Sequence, residues 1–386
     1  MLDIKETPPC WVEVNLDAVG NNTARIKEFL HRSDVRLMAV VKSDAYGHGM
    51  LPVAKTALAQ GADALGVTHP EEGVALREAG IDAPVLVFRP LLPGEEDDIV
   101  RLGLTPTISS LQQAERLSAA VQRFGLRNPV HLKIETGMGR TGFLPETLKD
   151  VADRLFSLPG LEWEGIYTHF ASAAVDPSFT RRQFQAFSSI VQDLAERGVH
   201  FSLRHVCNSA AALLYPGMHL EMVRVGTLLY GQYPAGVKNS VLDLEATWSF
   251  WTRVIYLQEV RCGMTVGYGR TYRVPRDTIL AVLPVGYSDG FGLDVQRRPA
   301  GLWDLGKVIA KTILGYLGHP VGSLHVSING TMAPVVGRTG MELSCIDVGK
   351  IPDIKVGTPV LLQVRRTAIR ESIPHLYKCQ EHTISY

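Results

Sequence analysis

An α/β fold is predicted for this 386-residue chain: a (β/α)8 TIM barrel over residues 1–240, then a mainly antiparallel β domain over residues 241–386. Three observations carry it. Short apolar runs alternate with helix-length stretches over the first two-thirds of the chain, and near Thr247 the texture changes to strand-like runs separated by Gly/Pro turns. The unusual polar residues, finally, collect at the carboxyl ends of the early apolar runs.

In chain order the runs fall at 36–42 (RLMAVVK), 64–68, 84–88, 105–109, 129–135, 163–170, 203–209 and 222–226. Their continuous apolar character suits strands covered on both faces. Between them, 17–29, 70–79, 110–124 and 177–197 read as helices; Pro70 and Pro177 stand at first-turn positions, and Glu71-Glu72 follow Pro70. Eight such units within about 200 residues are the signature of a closed barrel. A doubly wound sheet usually has fewer units and often a Gly-rich first turn, which this chain lacks. Beyond the 232–240 linker, with Pro234, Gly236 and Asn239, come strand-like runs at 251–260, 279–285, 325–328 and 359–364. Turns at Cys262-Gly263, Tyr268-Gly269 and Asn329-Gly330, without helical periodicity, point to antiparallel hairpins. The strand near 11–16 is taken up again below.

Composition excludes several functions. Lys+Arg and Asp+Glu both number 39, so the chain has no electrostatic footprint for nucleic acid. With 46% hydrophobic and 20% charged residues it is ordinary globular material, and no apolar run approaches the ~18 residues of a membrane span. The start, Met1-Leu-Asp-Ile-Lys-Glu, has acids where a signal peptide would be apolar. The five cysteines are odd in number, far apart and contain no C-x-x-C pair, which fits a reducing compartment and no metal module. A cytoplasmic protein is expected.

Chemistry in a (β/α)8 barrel sits at the carboxyl ends of the strands. Lys42 ends the first run, Lys133 the fifth, His169 the sixth, His205 with Asn208-Ser209 the seventh, and Arg224 with Gly226 the eighth. Taken singly, each is bland: a lysine caps a strand, a histidine sits satisfied in a core, Arg–Gly marks a turn. Together on one rim they mark a site. Loops after the last two strands of such barrels commonly hold a phosphate, and Asn208-Ser209 opens a helix while Gly226-Thr227 lets backbone approach. A phosphate there, faced by a lysine, suggests a phosphorylated aldehyde held covalently, hence pyridoxal 5′-phosphate.

Ala39-Val-Val-Lys42-Ser-Asp-Ala-Tyr46-Gly-His-Gly resembles the cofactor-lysine motif of alanine racemases. Further likenesses run in order along the chain: Leu132-Lys-Ile-Glu-Thr-Gly-Met-Gly-Arg140, Tyr167-Thr-His169, Cys207-Asn-Ser209, Met222-Val-Arg224-Val-Gly226, Val266-Gly-Tyr268-Gly-Arg-Thr-Tyr and Pro284-Val-Gly-Tyr287-Ser-Asp-Gly. The resemblance implies a pyridoxal-phosphate enzyme, a homodimer with shared sites, in which the strand near 11–16 packs with the C-terminal domain. It implies that Lys42 carries the cofactor and acts as one acid/base, with Tyr268 of the partner chain as the other. Racemisation requires a proton taken from one face of Cα and returned to the opposite face, so two flanking groups are the minimum, each worth ~10²–10⁴ in rate. An unperturbed tyrosine ionises near ~10, and the implied chain from Tyr268 through His169 to Arg224, with His205 beyond, supplies the positive charge a tyrosine base needs.

By the same resemblance Arg224 faces the cofactor's ring nitrogen, His169 and His205 also belong to the cofactor site, and Arg140 meets the substrate carboxylate and the cofactor phenolate. Tyr46, Ser209, Gly226, Thr227 and Tyr386 contact the phosphate, Met341 and Tyr287 line the substrate pocket from the other subunit, and Lys133 is carbamylated. The implied role is supply of D-alanine for peptidoglycan, or its catabolism. Some residues depart from the family pattern: Gly267 before Tyr268, Glu342 after Met341, the segment after Gly290, and the end at Tyr386. These bear on substrate choice. A serine or broad-specificity racemase is therefore the alternative, followed by a pyridoxal-phosphate decarboxylase of the same architecture.

Overall fold

The structure, a computed structural model, describes residues 8–30, 34–237, 242–293, 301–316, 324–370, 372–379 and 382–385. The chain forms two compact units, Asn15–Thr247 and a second made of Met1–Val14 with Trp248–Tyr386. The expected boundary between 240 and 241 lies outside the described residues.

The first unit is the barrel. Its strands are β2 (Arg36–Val40), β3 (Ala64–Val67), β4 (Val85–Val87), β5 (Thr105–Ile108), β6 (Asn128–Lys133), β7 (Leu161–Tyr167), β8 (Leu203–His205) and β9 (Met222–Val225), all eight where the apolar runs predicted them. β1 (Cys10–Asn15) belongs largely to the other unit. Neighbours pair in parallel in the order β8-β7-β6-β5-β4-β3-β2-β9. The ends of that order meet where Glu221 N donates to Arg204 O (3.2 Å) and Arg224 N to Cys207 O (3.0 Å). Inside, Met38, Leu86, Tyr167, Leu203 and Met222 pack into one buried cluster. A fully buried side chain of this size stabilises by ~1.5–3 kcal/mol.

Helices α1 (Leu16–Phe29), α2 (Met50–Ala59), α3 (Pro70–Glu78), α4 (Glu96–Arg101), α5 (Leu111–Phe124), α6 (Pro145–Phe156), α7 (Pro177–Glu196) and α8 (Ser209–Leu214) accompany the strands. Their starts are written locally. Asn15 Oδ1 accepts from Ala18 N (3.0 Å) ahead of α1, and Glu72 reaches back to the amides of Thr68 (2.8 Å) and His69 (2.9 Å) at the Pro70 start of α3. Gly125 ends α5 at φ 64°, a left-handed position where a Cβ would be strained.

In the second unit β10 (Trp248–Arg253), β11 (Tyr256–Val260), β12 (Thr265–Val266), β13 (Tyr272–Arg273), β14 (Thr278–Leu283), β15 (His325–Ile328), β16 (Thr331–Val336), β17 (Ser344–Asp347), β18 (Pro359–Leu362), β19 (His375–Cys379) and β20 (His382–Ser385) are the mainly antiparallel strands expected. Ten strands form one sheet, ordered β11-β14-β17-β16-β15-β18-β10-β1-β19-β20, while β12 and β13 make a separate hairpin. β1 is recruited from the chain's start and pairs antiparallel with β10, Cys10 opposite Thr252.

Two expectations need correction here. The run 251–260 is two strands, because β10 pairs with β1 and β18 whereas β11 pairs with β14, and the chain turns at 254–255 to change partners. The unit also holds a helix, α9 (Leu302–Tyr316), that the expectation of strands alone omitted. Leu302, Leu305, Ile309 and Ile313 recur at helical spacing along one face, but Gly306 and β-branched Val308 and Ile309 lower helix propensity and made the stretch resemble its strand-like surroundings.

Candidate active site

A cavity of about 440 Å³ opens at the carboxyl ends of the barrel strands. Lys42, Tyr46, Lys133, Arg140, His169, Ser209, Arg224, Gly226 and Thr227 all line it, so the barrel residues singled out in the sequence converge. His205 lies one layer deeper, fully buried behind Arg224. Tyr268, Tyr287 and Met341 belong to the second unit, where they are exposed. Tyr386 lies outside the described residues.

Lys42 follows β2 directly, and then the backbone does something no propensity suggests. Ser43, Asp44, Ala45 and Tyr46 all have φ between 50° and 56°, a full left-handed turn without a glycine. Such backbone costs ~1–2 kcal/mol per residue. It is held by Ala45 N to Val41 O (2.8 Å), by Asp44 Oδ1 accepting from Met50 N (2.6 Å), and by Glu72 Oε1 accepting from Ser43 N (2.5 Å). The turn delivers the Tyr46 ring beside Tyr230 (centroids 4.9 Å apart) and its hydroxyl beside Gly226. Strain at a ligand site is a common device.

The cations of the site sit close together in a dry place. Burial, then the charge of Arg140, lowers the Lys42 ammonium from its ordinary value. The same causes, with Arg224 added, bring buried Lys133 down to about 8, while its Nζ donates to Thr141 Oγ1 at 2.6 Å. Burial and then Arg224 push His169 down to about 3, so it is neutral at working pH. Arg224 is lowered by burial to about 10 and stays charged at neutral pH. Its Nη1 donates to His205 Nδ1 (2.7 Å) and His205 O (2.9 Å), and its Nη2 donates to Thr168 O (2.9 Å) and faces His169 Nδ1 at 3.4 Å. A guanidinium only donates, so His169 Nδ1 is an acceptor and its proton rests on Nε2.

Also at the cavity, Gly226 N donates to Ser209 Oγ (3.0 Å), and Asn208 Oδ1 caps α8 by accepting from Ala211 N (3.1 Å). Thr227 Oγ1 is buried without a partner among the described residues. An orphan hydroxyl at that depth calls for a ligand acceptor or donor.

The family models for the alanine racemase N-terminal domain and C-terminal domain match residues 14–234 and 247–386. The chain belongs to the alanine racemase family. The matches make it an isomerase, as the motifs implied. Among curated relatives of the alanine racemase family, "Alanine racemase" of Desulfosudis oleivorans is 39% identical over 363 residues, covering 91% of this chain and 86% of its own length. That of Desulforamulus reducens is 38% identical, covering 92% and 90%. The solved structure of alanine racemase from Clostridium difficile 630 superposes with a TM-score of 0.86 at 30% identity, covering 98% of both chains.

Sequence reading missed several residues of this alanine racemase family site. Thr141 accepts the Lys133 bond and follows Arg140 directly, a position its neighbour could have flagged. Tyr167, fully buried, lies under two cations, Lys133 (5.6 Å) and Arg224 (5.0 Å), and stacks on His205 at 4.7 Å. His131 bonds to His205 and was hidden inside an apolar run.

Proposed function

We propose that the protein interconverts L- and D-alanine with pyridoxal 5′-phosphate, as a cytoplasmic homodimer whose sites are completed by the partner chain, and that it supplies D-alanine for peptidoglycan or consumes it. The observation that carries this is the convergence, in one cavity, of a lysine lowered by burial with an unpartnered Thr227 hydroxyl, the Gly226 amide and the Arg224 cation.

The residues fit the coenzyme. Ser209, Gly226, Thr227 and Tyr46 make a polar pocket shaped for a phosphate. A Cβ on Gly226 would stand 2.6 Å from the Tyr46 hydroxyl, so the glycine keeps that pocket open. Lys42 and Arg224 line the same cavity. Tyr386 is assigned to the phosphate as well. When bound, pyridoxal 5′-phosphate supplies covalent attachment of the amino acid and an electron sink that acidifies its Cα–H.

The chain's residues do the rest. Lys42, less basic than a solvated lysine, takes or gives the proton on one face of Cα. Tyr268 of the partner does so on the opposite face, oriented by neutral His169 and the fixed charge of Arg224. The Arg224 guanidinium only donates, so a ring nitrogen held against it would have to accept and would stay unprotonated, which would favour return of the proton over transamination or decarboxylation. Arg140 offers a planar fork to the substrate carboxylate. Lys133, already near half-neutral at mild alkaline pH, adds through its neutral amine to CO2 and releases a proton to solvent, giving a carbamate that pairs with Arg140. Tyr287 and Met341 of the partner limit side-chain size.

The test is incubation with L-alanine and, separately, L-serine in deuterated water. D-alanine labelled at Cα without CO2 release supports the proposal. Preferential turnover of serine assigns the alternative substrate, and CO2 release replaces racemase with decarboxylase.

A further inference from the structure

Arg224 is a buried cation that no carboxylate touches among the described residues. Its bonds nevertheless lead to one. From Arg224 Nη1 the contacts run to His205 Nδ1 (2.7 Å), from His205 Nε2 to His131 Nδ1 (2.9 Å), and from His131 Nε2 to Glu164 Oε2 (3.4 Å). The last oxygen belongs to a side chain that is one-third exposed, so the line leads from the cavity floor toward solvent.

The strands are shaped for this line. The β6–β7 register shifts between Val130 and His131, so that Val130 pairs with Trp163 and His131 with Gly165, leaving Glu164 as the extra residue of a bulge. Bulges re-aim side chains, and this one turns a carboxylate toward His131. Gly165 supplies the space: a Cβ there would lie 2.5 Å from the His131 ring. Tyr167 stacks on His205 with rings 8° from parallel and bonds through its hydroxyl to Thr107 Oγ1 (2.8 Å), which fixes the imidazole plane.

Directionality follows from donors alone. Arg224 can only donate, so His205 Nδ1 accepts and its proton sits on Nε2. That proton is donated to His131 Nδ1, which places the His131 proton on Nε2, aimed at Glu164. Were either ring to take the other tautomer, an N–H would oppose the guanidinium or the carboxylate would lose its donor.

We infer that Glu164, acting through His131 and His205, is the remote counter-ion of Arg224, and that this relay positions the guanidinium for the ring nitrogen it serves. Glu164 and His131 are thus positioning residues, a role that rests on the reading under Proposed function. Charged groups facing the line are Arg36 near Glu164 and Arg224 near His131. Burial holds both histidines below their ordinary value, and the His131 bond holds the Glu164 carboxyl below its own, which keeps the relay neutral in the middle and anionic at its end.

The experiment uses holoenzyme labelled with ¹⁵N-histidine, the His131 resonances being assigned by their loss in H131Q. Both His131 and His205 are expected as neutral Nε2–H tautomers in wild type, and the opposite tautomer at either ring overturns the relay. In E164Q the amide oxygen still accepts the His131 Nε2 proton but carries no charge, so both tautomers should persist while the counter-ion is lost. A kcat loss of about 10-fold with KM changed less than about two-fold is expected. E164Q that melts lower but keeps wild-type kcat reduces Glu164 to a structural contact and overturns the proposal. If E164Q does not fold, the wild-type tautomers decide. A wild-type protein that fails to racemise alanine sinks the functional reading, while the tautomer result stands apart from it.

Discussion

The Tyr46 hydroxyl occupies the space a β-carbon on Gly226 would enter, 2.6 Å away. Tyr46 cannot swing aside freely, because its backbone is locked in the left-handed turn after Lys42 and its ring rests on Tyr230. Gly226→Ala should therefore weaken coenzyme binding by about 10-fold or more, the cost of overpacking a fixed site. Titration of pyridoxal 5′-phosphate into the apo-protein measures it, and unchanged affinity in a folded variant refutes the phosphate pocket.

Lys133 carries a second prediction. Carbamylation needs a neutral amine, and burial beside Arg140 and Arg224 brings Lys133 to about 8, so its neutral fraction shrinks as pH drops below that value. Carbamate should be detectable by ¹³CO2 labelling near pH 8 and fade toward pH 6. Lys133→Ala should lose about 10-fold in kcat/KM. A free amine at pH 8 with full Lys133→Ala activity contradicts the assignment.

Removal of one proton-transfer group should separate chemistry from binding. Tyr268→Phe, at an exposed position of the second unit, should leave coenzyme colour intact while kcat falls at least ~10²-fold in both directions. Loss of colour in that variant means Tyr268 has another role.

Stability should fall on the acid side well before ordinary carboxylates titrate. His131, His169 and His205 are buried and held below the 6.5 of free histidine, His169 to about 3. Below pH 6.5 the unfolded chain binds protons that the folded protein refuses, so each histidine removes up to ~1.4 kcal/mol per pH unit as pH falls, for His169 down to about 3. Denaturant midpoints at pH 8 and pH 5.5 measure this. Equal midpoints contradict neutral burial.

The barrel was legible because a strand covered on both faces must be apolar throughout, as 64–67 and 85–87 are, and because Lys42, Lys133, His169 and Arg224 stand at or near the carboxyl ends of their strands. Contacts that depend on register were not. Nothing local distinguishes Gly165 as the recess for His131, since the recess exists only once the Glu164 bulge sets the pairing. Ser43–Tyr46 carries no glycine to announce a left-handed turn, which is enforced from outside by Glu72 and Met50. Helix α9 escaped for another reason: Gly306 and the β-branched Val308 and Ile309 gave an amphipathic stretch the local look of the strands around it.

The pairing of Cys10 with Thr252 joins positions 242 residues apart, with the whole barrel threaded between them. During synthesis β1 therefore leaves the ribosome first yet waits for its sheet until the barrel has been translated. The barrel can close on its own schedule, whereas the second unit is a late, long-range event whose rate is set by loop closure. A circular permutant that places residues 8–14 after position 385 would remove that wait, and it should assemble the ten-stranded sheet faster than the natural chain order allows.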